Sequence, residues 1–180
     1  VWRAEKPSRG RFREFVQCDA DIVGSRDMAA DAELVCLACE LLAGLGVGSY
    51  SVRINNRKIL SGLMEAVGVR ERSLEEGVLR TVDKLPKVGK EEAARLLREE
   101  NGLAPEQAAR ILDFVGSGGV TDEILGRLRS SFAEGGEGGA GRAGVDELSE
   151  VTALAAAAGI AGLVELDLSI ARGRTYSTGP

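Results

Sequence analysis

The spacing of apolar residues changes near Val69 and again after residue 144, and these changes constrain the fold more than any other feature. Tyr50, Val52 and Ile54 alternate with polar neighbours, as expected for a short strand with one buried face. Residues 70–132 instead carry apolar side chains at helical spacing, with little strand signal. Beyond the second change, a helical pattern leads into the alternating residues 163–168. The sequence therefore predicts an α+β fold in which a helical stretch separates sheet-forming segments.

The first segment is expected to form two extended stretches joined by a loop. Residues 1–4 and 12–23 contain the strand-forming side chains, whereas the stretch between them contains Pro7 and Gly10, which favour turns. The segment is therefore interpreted as a strand, a loop and a second strand.

Residue types that favour the ends of helices predict the helices that follow. Asp27 is suited to cap the start of a helix, and a further helix is expected over residues 57–67. Pro105 predicts the first turn of a helix in the helical stretch, and Thr121 is expected to cap the next one. Residues 133–144 contain six glycines in twelve positions and predict a flexible connector.

Basic residues are concentrated at the start of an otherwise acidic chain. The net charge is −5, yet residues 1–15 hold five basic side chains against two acidic ones. A compact cationic cluster on an acidic protein suggests a local anion site rather than a broad surface for nucleic acid. A solvated, charged loop is the alternative interpretation of the charge pattern.

The cysteines are expected to pack in a core rather than to bind a metal. Cys36 and Cys39 form a CxxC pair, but they lie on an apolar helical face that includes Leu34 and Leu41. No second cysteine pair and no histidine is available as a ligand, and Cys18 is remote in sequence. The absence of histidine also removes mechanisms that use an imidazole base.

No apolar run approaches the ~20 residues that a membrane crossing needs, and no signal peptide is visible. We therefore expect a cytoplasmic protein without membrane partners. Because the sequence opens at Val1 and stops at Pro180, after a Thr and Gly pair, we also expect it to be an internal piece of a longer chain.

Residues 3–21 have the chemistry of an anion or nucleotide site. Arginines held on two strands and a loop offer forked N–H donors that suit phosphate oxygens, and Phe15 could stack on a base. Gln17 and Asp21 are four residues apart, so on a regular strand they would point to the same side and could receive an ammonium group or an imidazole N–H.

This segment resembles motif 2 of class II aminoacyl-tRNA synthetases in the form found in histidine–tRNA ligases. The family pattern is R-x-E-K/R-P-x-x-G-R-Y/F-R-E/Q-F-x-Q, and the matching residues are Arg3, Glu5, Lys6, Pro7, Gly10, Arg11, Phe12, Arg13, Glu14, Phe15 and Gln17. The segments around Asp31 and Asn55 are also similar to that family. The resemblance implies a partial class II antiparallel sheet with flanking helices and an inserted all-helical subdomain.

The resemblance implies a role for each matching side chain in the first segment. Arg3 would bind the α-phosphate of ATP as a catalytic residue, Arg11 would hold the β- and γ-phosphates, and Phe15 would stack on adenine. Glu5 would lie near the adenine or the tRNA acceptor end. For histidine, Gln17 would contact the α-amino group and Asp21 would lie near the imidazole ring.

The end of the chain resembles the second histidine-specific motif of the same family, R-G-L-x-Y-Y-T-G. By this resemblance Arg172 would be the second catalytic arginine, also in contact with histidine, and Tyr176 would line the histidine pocket. The sequence departs from the motif at two positions, where Arg174 replaces a leucine and Ser177 replaces the second tyrosine. These changes place a charged side chain where the family motif has an apolar one, and they remove an aromatic side chain from the expected histidine pocket.

The resemblance also implies the organisation and the partners. Residues 1–69 and 145–180 would be parts of the catalytic core, and residues 70–144 would be a helical insertion with a glycine-rich return, placed over the tRNA acceptor stem. Basic and acidic side chains alternate in this insertion, which is also what a solvated helical surface shows. ATP and Mg²⁺ would be the cofactors, histidine and tRNA(His) the substrates, and a homodimer the intact assembly.

Two further functions are kept as alternatives. A synthetase-like, non-catalytic subunit that regulates histidine biosynthesis would resemble the catalytic core but typically lacks the insertion and loses catalytic residues. A degenerate sensor domain attached to another protein is the third possibility. The presence of Arg3, Arg172 and an insertion favours the enzyme.

Overall fold

The computed structural model describes residues 1–4, 6–133 and 139–171. Within these ranges helices dominate, joined by one pair of short strands and one 3₁₀ turn. In chain order the elements are α1 (Met28–Gly44), β1 (Val52–Ile54), α2 (Arg57–Ala66), α3 (Arg72–Val88), α4 (Lys90–Glu99), α5 (Pro105–Val115), α6 (Thr121–Ala133), α7 (Gly139–Ala157), the 3₁₀ turn (Ala161–Leu163) and β2 (Val164–Leu166). The predicted α+β class is confirmed.

Several helix ends follow from local sequence signals. Asp27 accepts a hydrogen bond of 2.9 Å from the backbone N–H of Ala29 and so caps α1 as predicted. Pro105 is the first residue of α5, also as predicted. At the end of α2, Gly68 has φ of 80°, and the N–H of Val69 donates to the carbonyl of Met64 at 2.8 Å. This is the glycine-terminated helix end that a left-handed residue allows.

The two strands β1 and β2 form a parallel pair. In the sequence, most of the described helices lie between these two strands. Val52 lies opposite Val164 and Ile54 opposite Leu166. A parallel pair needs a crossover connection, and here the whole helical stretch supplies it. The antiparallel sheet that we expected is represented in the described residues only by isolated bridges in the first segment, between Trp2 and Glu14 and between Ser8 and Arg11.

The main core lies around α2. Ile59, Leu60 and Met64 are almost fully buried, and α7 packs along the same helix. The same cluster continues through α3, α5 and α6, so the helical stretch shares its core with α2 and α7. A smaller cluster joins Met28 and Ala32 of α1 to α7.

Two parts of the chain differ from the sequence-based expectation. Residues 16–23 form no strand, because within the described residues no other strand lies beside them and Val16 and Val23 remain more than nine-tenths exposed. Residues 139–144, expected in a flexible connector, form the start of α7. Thr121 is also the first residue of α6 rather than the residue before it.

Candidate functional site

The first segment folds as a hairpin that brings residues 1–3 beside residues 13–15. The N–H of Arg3 donates to the carbonyl of Arg13 at 2.8 Å. At the other end, Ser8 and Arg11 exchange two backbone hydrogen bonds of 3.1 and 2.9 Å. Gly10, with φ of 75°, lies inside this tight turn, where a positive φ favours glycine. The predicted loop between two extended stretches is therefore present.

The side chain of Arg3 joins two other predicted site residues at the base of this hairpin. Its Nη2 donates to Oε1 of Gln17 at 2.8 Å. Its guanidinium carbon lies 5.1 Å from the centre of the Phe15 ring, within the range of a cation–π contact. Nε2 of Gln17 donates to both carboxylate oxygens of Asp19, at 2.5 and 2.7 Å. The three side chains that the sequence assigns to phosphate, base and amino group thus lie together.

Two other predicted residues, Arg11 and Asp21, lie away from this group. Arg11 is at the turn of the hairpin, at the opposite end from Arg3, and Asp21 is exposed in the irregular segment before α1. The regular strand that was to align Asp21 with Gln17 is not formed. Glu5, Arg172 and Tyr176 lie outside the described residues.

The chain approaches its second motif through β2 and a turn. The N–H of Asp167 donates to the carbonyl of Ile54 at 3.0 Å, which extends the strand pairing by one bond. Oδ1 of Asp167 then accepts hydrogen bonds from the N–H and the hydroxyl of Ser169, at 3.0 and 2.6 Å. A carboxylate that accepts hydrogen bonds from the residue two positions later commonly stabilises a turn. The turn ends shortly before Arg172 in the sequence.

Two consecutive asparagines beside this turn were not assigned a role from the sequence. Nδ2 of Asn55 donates to the carbonyls of Leu168 and Ile170, at 3.4 and 3.0 Å. Nδ2 of Asn56 donates to Oε2 of Glu147 on α7 at 2.8 Å, and its Oδ1 caps α2. The one available signal was the position of two side-chain amides directly after a strand.

A small cavity of about 210 Å³ adjoins these asparagines, between α1, the end of β1 and α7. Its lining includes Asp31, Asn56 and Glu147 among apolar side chains. Burial raises the pKa of the Asp31 carboxyl above its ordinary value of 3.8. Repulsion from Glu147 adds to the increase, and a hydrogen bond from the backbone amide of Asp31 opposes it. Glu147 itself forms an ion pair with Lys58.

Cys39 packs on α1 as a small apolar residue, with only 2% of its surface exposed. Burial raises the pKa of its thiol, and the neighbouring Cys36 adds to that increase. Cys18 is exposed and lies in the first segment. In the part of the chain that the structure describes, no three acidic, cysteine or histidine side chains are grouped so that they could hold a metal ion. The helices in those same ranges also include none with the length and apolar character needed to cross a membrane.

Comparison with known proteins identifies the family. The sequence model described as histidyl-tRNA synthetase matches residues 1–180. The chain belongs to the histidyl-tRNA synthetase family. This membership confirms the resemblance drawn from the two motifs.

Curated relatives support the same family across distant organisms. The chain is 41% identical over 179 residues to a histidine–tRNA ligase of Rhodopirellula baltica, covering 99% of this chain and 40% of that protein. It is 43% identical over 194 residues to that of Paracoccus denitrificans, covering 100% and 39%. It is 41% identical over 180 residues to that of Aeropyrum pernix, again covering 100% and 39%. The chain thus spans about two fifths of the length of these relatives.

A solved structure supports the fold. The histidyl-tRNA synthetase from a Nostoc species superposes with a TM-score of 0.80 at 30% identity. The match covers 85% of this chain and 35% of that protein. The arrangement of helices around the parallel strand pair therefore belongs to the synthetase fold.

Proposed function

We propose that the natural protein is a histidine–tRNA ligase, which activates histidine with ATP and transfers it to the 3′ end of tRNA(His). The observation that carries the proposal is the grouping of Arg3, Phe15 and Gln17 at the base of one hairpin. It is supported by relatives named histidine–tRNA ligases that match the chain throughout.

In the first step, a carboxylate oxygen of histidine forms a bond to the α-phosphorus of ATP, and the bond to the β-phosphate oxygen breaks to release pyrophosphate. The substrate carboxylate is already ionised, so no protein base is needed, in agreement with a chain that contains no histidine. The protein's contribution is then to position the reactants and to stabilise the charge on the phosphates.

Arg3 is suited to the charge on the α-phosphate. A guanidinium offers five N–H donors, more than the bond to Gln17 uses. Phe15, which is half-buried beside it, would present its ring to adenine. Oε1 of Gln17 has a second acceptor position and would receive an N–H of the histidine ammonium group. Arg11, at the turn, would hold the β- and γ-phosphates.

The remaining roles are proposed from the family motifs alone. Arg172 would act on the α-phosphate from the other side and contact histidine, Tyr176 would line the histidine pocket, and Asp21 would lie near the imidazole ring. Glu5 would lie near adenine or the tRNA end. In the second step, a hydroxyl of the terminal ribose attacks the acyl carbon and AMP leaves.

The described residues do not provide a grouped set of ligands for Mg²⁺. Mg²⁺ would enter with ATP, bound to its phosphates. We also propose that residues 70–144 form the insertion over the tRNA acceptor stem, between core parts 1–69 and 145–180. The natural protein is proposed to be a cytoplasmic homodimer.

The decisive experiment is ATP–pyrophosphate exchange by the natural full-length protein, with each amino acid tested separately. Exchange that depends on histidine and on no other amino acid is expected. It would also show that Arg174 and Ser177 are compatible with histidine recognition. A well-folded full-length protein without such exchange would contradict the proposal and favour the regulatory subunit or the sensor.

A further inference from the structure

We propose that Asn55 is a positioning residue that sets where the second arginine motif begins, by fixing the backbone of residues 168–170. The inference rests on the proposed function in one respect, namely that Arg172 acts on the phosphate. The contacts of Asn55 itself stand independently of that function.

The carboxamide of Asn55 uses its donors and its acceptor on different parts of the chain. Its NH₂ group donates to the carbonyls of Leu168 and Ile170, 113 and 115 residues away in sequence. Its oxygen accepts the N–H of Asn56 at 2.9 Å. Only a side chain that both donates and accepts can make this set of bonds, and a carboxylate of the same shape cannot donate.

The backbone on either side of Asn55 belongs to well-packed elements of the fold. It lies between the last residue of β1 and Asn56, which caps α2 through a bond of 2.9 Å from the N–H of Lys58. Asn56 also donates to Glu147 on α7. The Asn55 side chain therefore projects from a junction where a strand and two helices meet.

The segment that Asn55 contacts lies just beyond the end of the strand pair. The strand pairing ends with the bond from Asp167 to Ile54, after which the chain turns at residues 168 and 169. Leu168 anchors the turn in the core with 3% exposure. The carbonyls of residues 168 and 170 then meet Asn55 rather than another strand. Arg172 is two positions beyond Ile170 in the sequence. The direction in which residues 168–170 leave the turn would therefore set the path of the chain toward that arginine.

A misplacement of about 1 Å in a positioning element lowers a rate by on the order of 100-fold. We therefore test Asn55→Asp in the natural full-length protein, since this change keeps the shape and the acceptor but removes both donors. The kcat of histidine-dependent pyrophosphate exchange is expected to fall by roughly 10-fold to 100-fold, with KM values for ATP and histidine changed by less than about 3-fold.

The control variant is Asn101→Asp, the same chemical change in the helical stretch. Asn101 accepts a hydrogen bond from Thr81 at 3.0 Å, which a carboxylate retains. Its exchange activity is expected to equal that of the wild type. Should Asn55→Asp lose its fold by circular dichroism, Asn55→Ala is used instead, because it also removes both donors but adds no charge, and the same fall in kcat is expected.

Two further measurements separate positioning from a general structural role. In an Arg172→Ala background, Asn55→Asp is expected to cause little additional loss of exchange, because the two residues act as one unit. Amide hydrogen exchange of residues 167–171 is expected to accelerate at least about 10-fold in Asn55→Asp, while the helices keep their protection.

Each outcome bears on one hypothesis. Wild-type kcat in Asn55→Asp, or a full additional loss in the Arg172→Ala background, would overturn the positioning role. If the wild-type protein shows no histidine-dependent exchange, the proposed function fails. The protection of residues 167–171 then decides by itself whether Asn55 holds this segment, and unchanged protection would refute it.

Discussion

Gly62 on α2 faces Gly141 on α7 so closely that a Cβ added to Gly62 would lie 2.5 Å from the Cα of Gly141. The same added carbon would lie 3.1 Å from the ring of Phe132. Because the nearest atoms belong to backbone, they cannot move aside as a flexible side chain would. The contact between α2 and α7 therefore depends on the absence of side chains at these positions.

Gly62→Ala is expected to lower the free energy of unfolding by about 1–3 kcal/mol, since overpacking outweighs the better helix propensity of alanine. Gly126→Ala is the matched control, because Gly126 is also helical but an added Cβ meets nothing within 4 Å. That variant is expected to be neutral or more stable by up to about 1 kcal/mol. Urea unfolding measures both, and equal effects of the two changes would contradict the close approach.

Arg3→Lys tests the guanidinium in the full-length protein. Lysine keeps the charge but lacks the planar fork and the stacking face, so it cannot reproduce the contacts with Gln17 and Phe15. The rate of pyrophosphate exchange is expected to fall by about 100-fold or more. Arg9→Lys, an equivalent change at the exposed turn, is expected to leave the rate within about 2-fold. Equal rates for the two variants would remove Arg3 from the phosphate site.

Gln107 links the start of α5 to the end of α2. Its Nε2 donates to the carbonyl of Val67 at 2.6 Å, and its Oε1 accepts the N–H of Ala104 at 2.9 Å. Gln107→Leu removes both bonds and is expected to reduce the free energy of unfolding by about 1–3 kcal/mol. Gln107→Glu keeps only the acceptor, so an intermediate melting temperature is expected. A Gln107→Leu protein as stable as the wild type would show that neither bond contributes.

Asp31→Asn is expected to make the protein more stable at neutral pH. Because the pKa of Asp31 is raised in the folded state, this carboxyl binds protons more strongly in the folded chain than in the unfolded chain above pH 3.8. The contribution of Asp31 to the free energy of unfolding therefore falls as the pH rises from 3.8 through its folded pKa, and this loss of stability persists at higher pH. Asparagine removes this deficit, so the advantage of the variant should vanish as the pH approaches 3.8. Unfolding by urea at several pH values tests this, and a variant less stable than the wild type at neutral pH would contradict it.

Sequence signals that act over a few residues predicted much of the molecule correctly. Asp27 caps α1 and Pro105 begins α5, because a cap or a fixed φ acts on its own helix turn. The motif around Arg3 predicted the family. The contacts of Arg3 with Phe15 and Gln17 come from the pairing of residues 1–3 with residues 13–15, which are close in sequence.

Where the outcome depends on a distant partner, sequence reasoning was wrong or silent. Residues 16–23 have strand-forming side chains, but a strand also requires a neighbour, and within the described residues none is present. Residues 139–144 have a connector's composition, yet Gly144 packs against Ile59 and Lys58 of α2, and this packing favours the helix despite low propensity.

What the sequence by itself determined is the family, the α+β class and the starts of α1 and α5, because each is encoded in residue types at short spacing. Only the tertiary structure decided the parallel pairing of β1 with β2 and the contacts of Asn55 with residues 168 and 170. A hydrogen bond between groups more than 110 residues apart has no local signature, since it exists only after the packing of α2 and α7 has brought both ends together.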